Sequence, residues 1–197
     1  MAAGIGGAQG IGRCACFDGA MNSPIDDAGP LLRDRTAGDL PACVAVLRQV
    51  HLADRYPTNW PVDPASWLSE SAVEGAWVAE RGGQVVGHVA LARVSSGDVA
   101  PGLLAPGARA LVVGRLFVGP AARGLRCGAL LLERAAGEAR RRGARAVLDV
   151  VTTDTAAVRL YERAGWEFLG AGQQDWGGGQ LVDVRCYAAP PAHRTSR

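Results

Sequence analysis

One stretch constrains this chain more than any other: Leu111 to Gly128, LVVGRLFVGPAARGLRCG. An apolar run ends in Gly119-Pro120. A short loop follows with Arg123, Gly124, Arg126 and Gly128, and a leucine-rich helix is expected from Ala129 to Arg142. Strand, donor-rich turn and helix in this order set the unpaired amides and positive end of a helix against an anion, typically a phosphate.

The elements around it follow from local signals. Leu31 to Arg35 reads as a short strand, and Asp39 with Pro41 opens a helix carrying Val44, Leu47 and Val50 to Leu52 at helical spacing. Two prolines break Tyr56 to Asp63, and Asp63-Pro64 opens a second short helix through Trp67 and Leu68. Ala76 to Glu80 and Val85 to Ala92 form a hairpin closed by Arg81-Gly82-Gly83-Gln84. Val94 to Arg109 is a Gly, Pro and Ser loop, long enough to be mobile. Leu111 to Val118 is the next strand, with Gly114 marking a bulge. Further strands are expected at Ala146 to Val151, Trp166 to Gly170 and Leu181 to Ala188, with a helix from Thr155 to Arg163 capped by Asp154. Gly177 to Gly179 is a turn. An antiparallel hairpin followed by one crossover helix between adjacent strands gives an α+β or three-layer α/β domain.

Composition narrows the function. Hydrophobic residues make up 48% and charged residues 20%, as expected for a soluble globular domain. No apolar run approaches the ~18 residues of a membrane helix. A net charge of only +2 gives no nucleic-acid footprint. The chain has no lysine, so any mechanism that needs one is excluded. Cys14, Cys16, Cys43, Cys127 and Cys186 are odd in number, and their irregular spacing argues against a disulfide framework and against a zinc site. A reducing, cytoplasmic location is expected, and no metal. Cys43 and Cys186 fall in apolar patterns as small core residues. No basic region precedes a long apolar segment at the amino terminus, so no signal peptide is expected.

Three segments are expected: a loosely ordered Gly- and Ala-rich region over Met1 to Gly29, a single domain over residues 30–189, and a polar tail over residues 190–197. Met21 offers a second start. Gly6-Gly7-Ala8-Gln9-Gly10-Ile11-Gly12 looks like the glycine turn of short-chain dehydrogenases. That turn needs a buried strand before it, and the dehydrogenase Tyr-x-x-x-Lys is impossible without lysine.

Two segments together resemble the GNAT superfamily of acetyl-CoA-dependent N-acetyltransferases. Arg123-Gly124-Leu125-Arg126-Cys127-Gly128 is similar to the family's Gln/Arg-x-x-Gly-x-Gly/Ala, and Asp154 to Trp166, DTAAVRLYERAGW, is similar to Asn-x-x-Ala-x-x-Leu-Tyr-Glu-x-x-Gly-Phe. The resemblance spans roughly Leu31 to Ala188. It implies a central mixed, mostly antiparallel sheet of about six or seven strands flanked by helices and splayed between the fourth and fifth strands. Two departures stand out: Arg126 replaces the central loop glycine, and Asp154 replaces the asparagine.

The resemblance implies acetyl-CoA as acyl-donor cosubstrate and a primary amine as acceptor. Pyrophosphate would lie on the amides of Arg123, Gly124, Leu125, Arg126, Cys127, Gly128 and Ala129, and pantetheine along the backbone of Leu116, Phe117 and Val118. Asp154 would border the cofactor. An amide near Leu116 or Val118 would polarise the thioester carbonyl. Tyr161 would be the general acid, or alternatively a packing aromatic. No carboxylate base stands before Leu116. His88 on the adjacent strand is the titratable candidate, because histidine titrates near neutrality; the alternative is a strand residue satisfied by hydrogen bonds. Glu80, Asp54 or a water chain would also serve. His51, Asp54, Tyr56 and Trp60, with Trp67, offer rings and one carboxylate suited to an ammonium-bearing acceptor. Arg126 and the missing carboxylate leave a second reading open, an acyl-CoA-binding module with weak or no turnover. The acceptor and the oligomeric state, a homodimer included, stay open at this level.

Overall fold

A computed structural model of the chain describes residues 29–70, 72–176 and 179–191. The glycine turn at Gly6 to Gly12, Met21, Cys14, Cys16, Gly177 and Gly178, and the tail from Ala192, lie outside the described residues. The elements run β1 (Leu31–Asp34), α1 (Leu40–Asp54), α2 (Pro64–Leu68), β2 (Val73–Arg81), β3 (Gln84–Ala92), β4 (Ala110–Val118), α3 (Cys127–Arg141), β5 (Arg145–Val151), α4 (Thr155–Arg163), β6 (Glu167–Asp175) and β7 (Leu181–Ala188). They form a seven-stranded mixed sheet in the order β1-β2-β3-β4-β5-β7-β6. Every neighbouring pair is antiparallel except β4 and β5.

Local chemistry sets the boundaries. Gly82 and Gly83 take φ of 54° and 72°, the left-handed pair a two-residue hairpin turn demands, and Arg81 pairs Gln84 across it. Asp63 accepts the Ser66 amide and Asp154 the Ala157 amide, each at 3.0 Å, which caps α2 and α4 as their positions predict. Asp39 stands at the start of α1, but its carboxylate turns back to the Thr36 amide at 2.7 Å and to Arg33.

The sheet is covered on both faces. Leu131, Leu132 and Ala135 of α3 and Val158 and Tyr161 of α4 pack on Trp77, Val89, Val113 and Leu148. On the opposite face Cys43, Val46, Leu47 and Val50 of α1 cover Val78 and Phe117. Farther along that face Val147, Val184 and Cys186 are covered by Val99, Ala100 and Leu104. Cys43 and Cys186 are fully buried, as the apolar pattern around them indicates.

Three details differ from the sequence expectation. Helix α3 starts at Cys127, earlier than Ala129, because Arg126 takes a left-handed conformation and ends the loop there. Strand β6 runs well past Gly170: full-length pairing with β7 overrides the weak strand propensity of Gly and Gln. The loop from Val94 to Arg109 is tied down, because the Asp149 carboxylate on β5 accepts the amides of Val99 (2.8 Å) and Ala100 (2.9 Å) and the Gln174 side chain (2.8 Å).

Candidate active site

The parallel pairing of β4 with β5 ends at Val112 opposite Val147, and past this point the two strands diverge. Gly119 donates to the Val86 carbonyl at 2.8 Å, and Val118 pairs Gly87 in the next position of the ladder. Alternation along an antiparallel strand therefore turns the Val118 amide away from β3, to the side β5 has left. The ladder also carries a bulge. Ala90 faces Gly114 and His88 faces Phe117, so Arg115 and Leu116 together oppose Val89. The bulge expected at Gly114 falls on the two residues after it, and its left-handed residue is Arg115, φ 52°. Leu116 and Val118 pack toward the α3 face, while Phe117 is buried under α1.

Beyond β4 the chain makes one turn at Pro120–Ala122 and continues through Arg123, Gly124 (φ 78°) and Leu125 to Arg126 (φ 62°, ψ 4°). The first amides of α3, from Cys127, Gly128 and Ala129, follow directly. Arg126 is exposed and lines a groove of about 650 Å³ that Arg140, Arg145 and Arg163 also line. Arg123 is ion-paired with Asp54 at the end of α1. A residue expected at the acceptor is thereby joined to one expected at the phosphate.

Tyr161 lies on α4, 8% exposed, with its ring centroid 6.0 Å from Trp166 and 5.9 Å from Tyr187. Burial, reinforced by the nearby Tyr56 and Asp154, holds its phenol well above the ordinary tyrosine range. Burial also pushes Tyr56 up to about 12, against the pull of Arg115 and with a further push from Asp154. Tyr56 and Tyr161 thus both feel Asp154, and Tyr56 feels Arg115 as well, so the loop after α1, strand β4 and helix α4 with its cap meet here, three segments far apart in the chain.

The other residues expected at the acceptor lie in the last turn of α1 and the segment that follows it. His51 Nδ1 meets the Pro57 carbonyl at 2.9 Å, and its ring lies 5.1 Å from Trp60, which is 37% exposed. Asn59 reaches Gln180 before β7 at 3.3 Å. Trp67 takes the edge of Tyr56 at 6.5 Å and the Arg115 guanidinium at 4.9 Å.

His88 is fully buried, stacked 5.2 Å from Phe117. Nδ1 lies 2.9 Å from the Arg115 carbonyl and Nε2 lies 3.1 Å from Arg35 Nη1. Burial, aided by the Arg35 and Arg115 charges and opposed by the bond to the Arg115 carbonyl, lowers its pKa to about 4. Glu80 is engaged elsewhere, with Arg33 at 2.8 Å.

Two residues here have no counterpart in the sequence reading. Arg115 sends a mostly buried guanidinium over Trp67 to an ion pair with the half-exposed Glu70, and its Nε is buried without a partner. The available signal was a lone charge inside the apolar run LVVGRLFV. Among the described residues no His, Cys, Asp and Glu cluster could hold a metal ion, and no helix is long and apolar enough to cross a membrane.

The sheet opens between two parallel strands, and from one of them a loop with left-handed Gly124 and Arg126 leads into the start of α3. The family model described as "Acetyltransferase (GNAT) family" matches residues 45–166, and the chain belongs to that family. Among curated proteins none matches in sequence. Solved structures share the fold. The Salmonella typhimurium protein yncA, solved with its cofactor acetyl-CoA, is 20% identical with a TM-score of 0.64, over 86% of this chain and 98% of that one. A phosphinothricin acetyltransferase from Sinorhizobium meliloti in complex with acetyl-CoA is 20% identical with a TM-score of 0.63, over 83% and 89%. A ribosomal-protein-alanine N-acetyltransferase from Brucella melitensis is 24% identical with a TM-score of 0.61, over 80% and 98%.

Proposed function

We propose that the chain is an N-acetyltransferase moving an acetyl group from acetyl-CoA to a primary amine of a small molecule or peptide, by direct attack with both bound. The activity belongs to a single domain over residues 30–189, in a reducing, cytoplasmic setting; the buried free thiols Cys43, Cys127 and Cys186 support that setting. The observation that carries the reading is the alignment of two features on one strand. The edge of β4 is free beyond Val112, and the same strand leads into the loop from Gly119 to Arg126 and the first amides of α3. The glycine at 124 and the unpaired helix amides fit a pyrophosphate, and the β4 edge at Leu116 to Val118 fits an extended pantetheine amide chain.

Acetyl-CoA supplies the acetyl group as a thioester. The Val118 amide, with Leu116 beside it, is the donor for the thioester oxygen. The amine nitrogen bonds to the acyl carbon and the C–S bond breaks. The sulfur takes the Tyr161 proton, and the nitrogen gives its own to water at the mouth. A phenol held above its ordinary range stays protonated at neutral pH, as an acid must. His51, Asp54, Tyr56 and Trp60 wall the acceptor side, and Asp154 borders the cofactor while capping α4.

The test follows thiol release from acetyl-CoA with a panel of amines. Tyr161→Phe should lower kcat about 10²- to 10⁴-fold while CoA binding by calorimetry is unchanged. Parental turnover in that variant would remove the acid role. The second reading, an acyl-CoA-binding module without turnover, draws on the engagement of both His88 nitrogens. Tight CoA binding with no acetylated amine would establish it.

A further inference from the structure

Among the described residues the buried polar side chain of the core is His88. A guanidinium only donates, so Nε2 must accept from Arg35, and Nδ1 must then carry the hydrogen that the Arg115 carbonyl accepts. Arg35 is itself fixed, since the same Nη1 donates to the Leu68 carbonyl at 2.6 Å. Neither ring nitrogen has capacity left for an amine. The bonded carbonyl belongs to the bulged, left-handed residue of β4. A bulge takes backbone groups out of the ladder, and a buried carbonyl without a partner is strongly unfavourable.

We infer that His88 is a positioning residue, which holds the Arg115 carbonyl through Nδ1–H and so fixes the β4 bulge that aims the Val118 amide and the Arg115 side chain into the site. Its link to catalysis rests on the acetyltransferase reading above. The groups facing the ring are Arg35, beside Cys43 and Asp39, and Arg115 with its partner Glu70. They are cations, which keep the imidazole neutral, or anions already engaged. Arg115 is the residue most directly placed by the clamp, since its backbone is the one held and its side chain spans Trp67 to Glu70.

Two substitutions separate clamp from base. In His88→Asn the side-chain amide nitrogen stands close to where Nδ1 stood, so the donor to Arg115 survives while titration is lost. In His88→Leu both are lost. Three readouts are taken: kcat and the KM for acetyl-CoA, the pH profile of kcat/KM, and hydrogen–deuterium exchange of the peptide over Val112 to Val118 in the protein alone. His88→Asn should keep kcat within about tenfold, with parental exchange and an unaltered acid limb. His88→Leu should speed exchange and lower kcat, each by about tenfold to hundredfold, with the KM for acetyl-CoA moving less than kcat. Loss of the acid limb in His88→Asn would make His88 the base and overturn the inference. Parental exchange in His88→Leu would overturn it as well, whatever the activity. If the parent acetylates no amine, the acetyltransferase reading fails separately, and the exchange comparison still decides the clamp. Should His88→Leu fail to fold, exchange in His88→Asn alone decides: parental protection supports the clamp, and tenfold faster exchange refutes it.

Discussion

Arg126 holds φ 62° where its loop needs a left-handed residue, and that geometry sets a number. For a residue with a Cβ the left-handed conformation costs about 1–2 kcal/mol. Replacing it with glycine removes this strain, and glycine's greater freedom in the unfolded chain takes back about 0.5–1 kcal/mol. The net gain for Arg126→Gly is about 0.5–1 kcal/mol, or roughly 1–4 °C in Tm for a domain of this size. Arg126→Ala keeps the strain and drops only the guanidinium, so its Tm should stay within about 1 °C of the parent. Binding should move the other way. If the guanidinium contacts a phosphate, a charged hydrogen bond of about 1.5–3 kcal/mol disappears in both variants, and CoA binds about 10- to 100-fold more weakly in both. Thermal scans with calorimetry on the two proteins check each half. An Arg126→Gly Tm no higher than that of Arg126→Ala would refute the strain argument, and parental CoA affinity in both would refute the contact.

Other outcomes follow from single contacts. Asp149→Asn cannot accept both loop amides as the carboxylate does, so one of Val99 and Ala100 is left short and denaturant unfolding should show a loss of about 1–3 kcal/mol. Gly172→Ala would bring a Cβ to 2.5 Å from Val99 Cγ1, an overpacking loss of about 1–3 kcal/mol by the same measurement. Stability should also depend on pH through His88. Its pKa is about 4 in the fold and ordinary, about 6.5, in the unfolded chain. Between these values the unfolded state binds a proton that the fold does not. The contribution is complete above about pH 6.5 and is lost as the pH falls toward 4, by up to about 3 kcal/mol. Urea midpoints at pH 5 and pH 7 should diverge more for the parent than for His88→Asn, and equal divergence would refute the assignment.

The fold was legible where chemistry is local. Asp63, Asp154 and the Gly82-Gly83 pair announce two helix starts and a hairpin, and each does that work in the structure. The paired motifs carried the splayed sheet, which no short-range signal in the chain reveals. The site was less legible, because its connections cross the fold. Asp54 meets Arg123, and Glu70 meets Arg115, through contacts that no spacing in the chain announces. The bulge was expected at Gly114, the residue free to adopt any φ, yet it is Arg115 that adopts the left-handed conformation. Register against β3 and the bond from His88 decide that, and both are tertiary.

The extra residue in β4 has one more consequence. Val112, before the bulge, packs against the same side of the sheet as Phe117 after it, although five positions in an unbroken strand would place them on opposite sides. The strand is thus two half-strands out of phase, joined at Arg115. Deleting a single residue between Gly114 and Leu116 would leave a smoother ladder and a worse protein. Phe117 would stay under α1 and Val118 toward α3, four positions then separating Val112 from Phe117, but the left-handed turn, the carbonyl that His88 holds and the guanidinium over Trp67 would go with the residue removed. Any redesign of this strand has to carry the phase change as one unit.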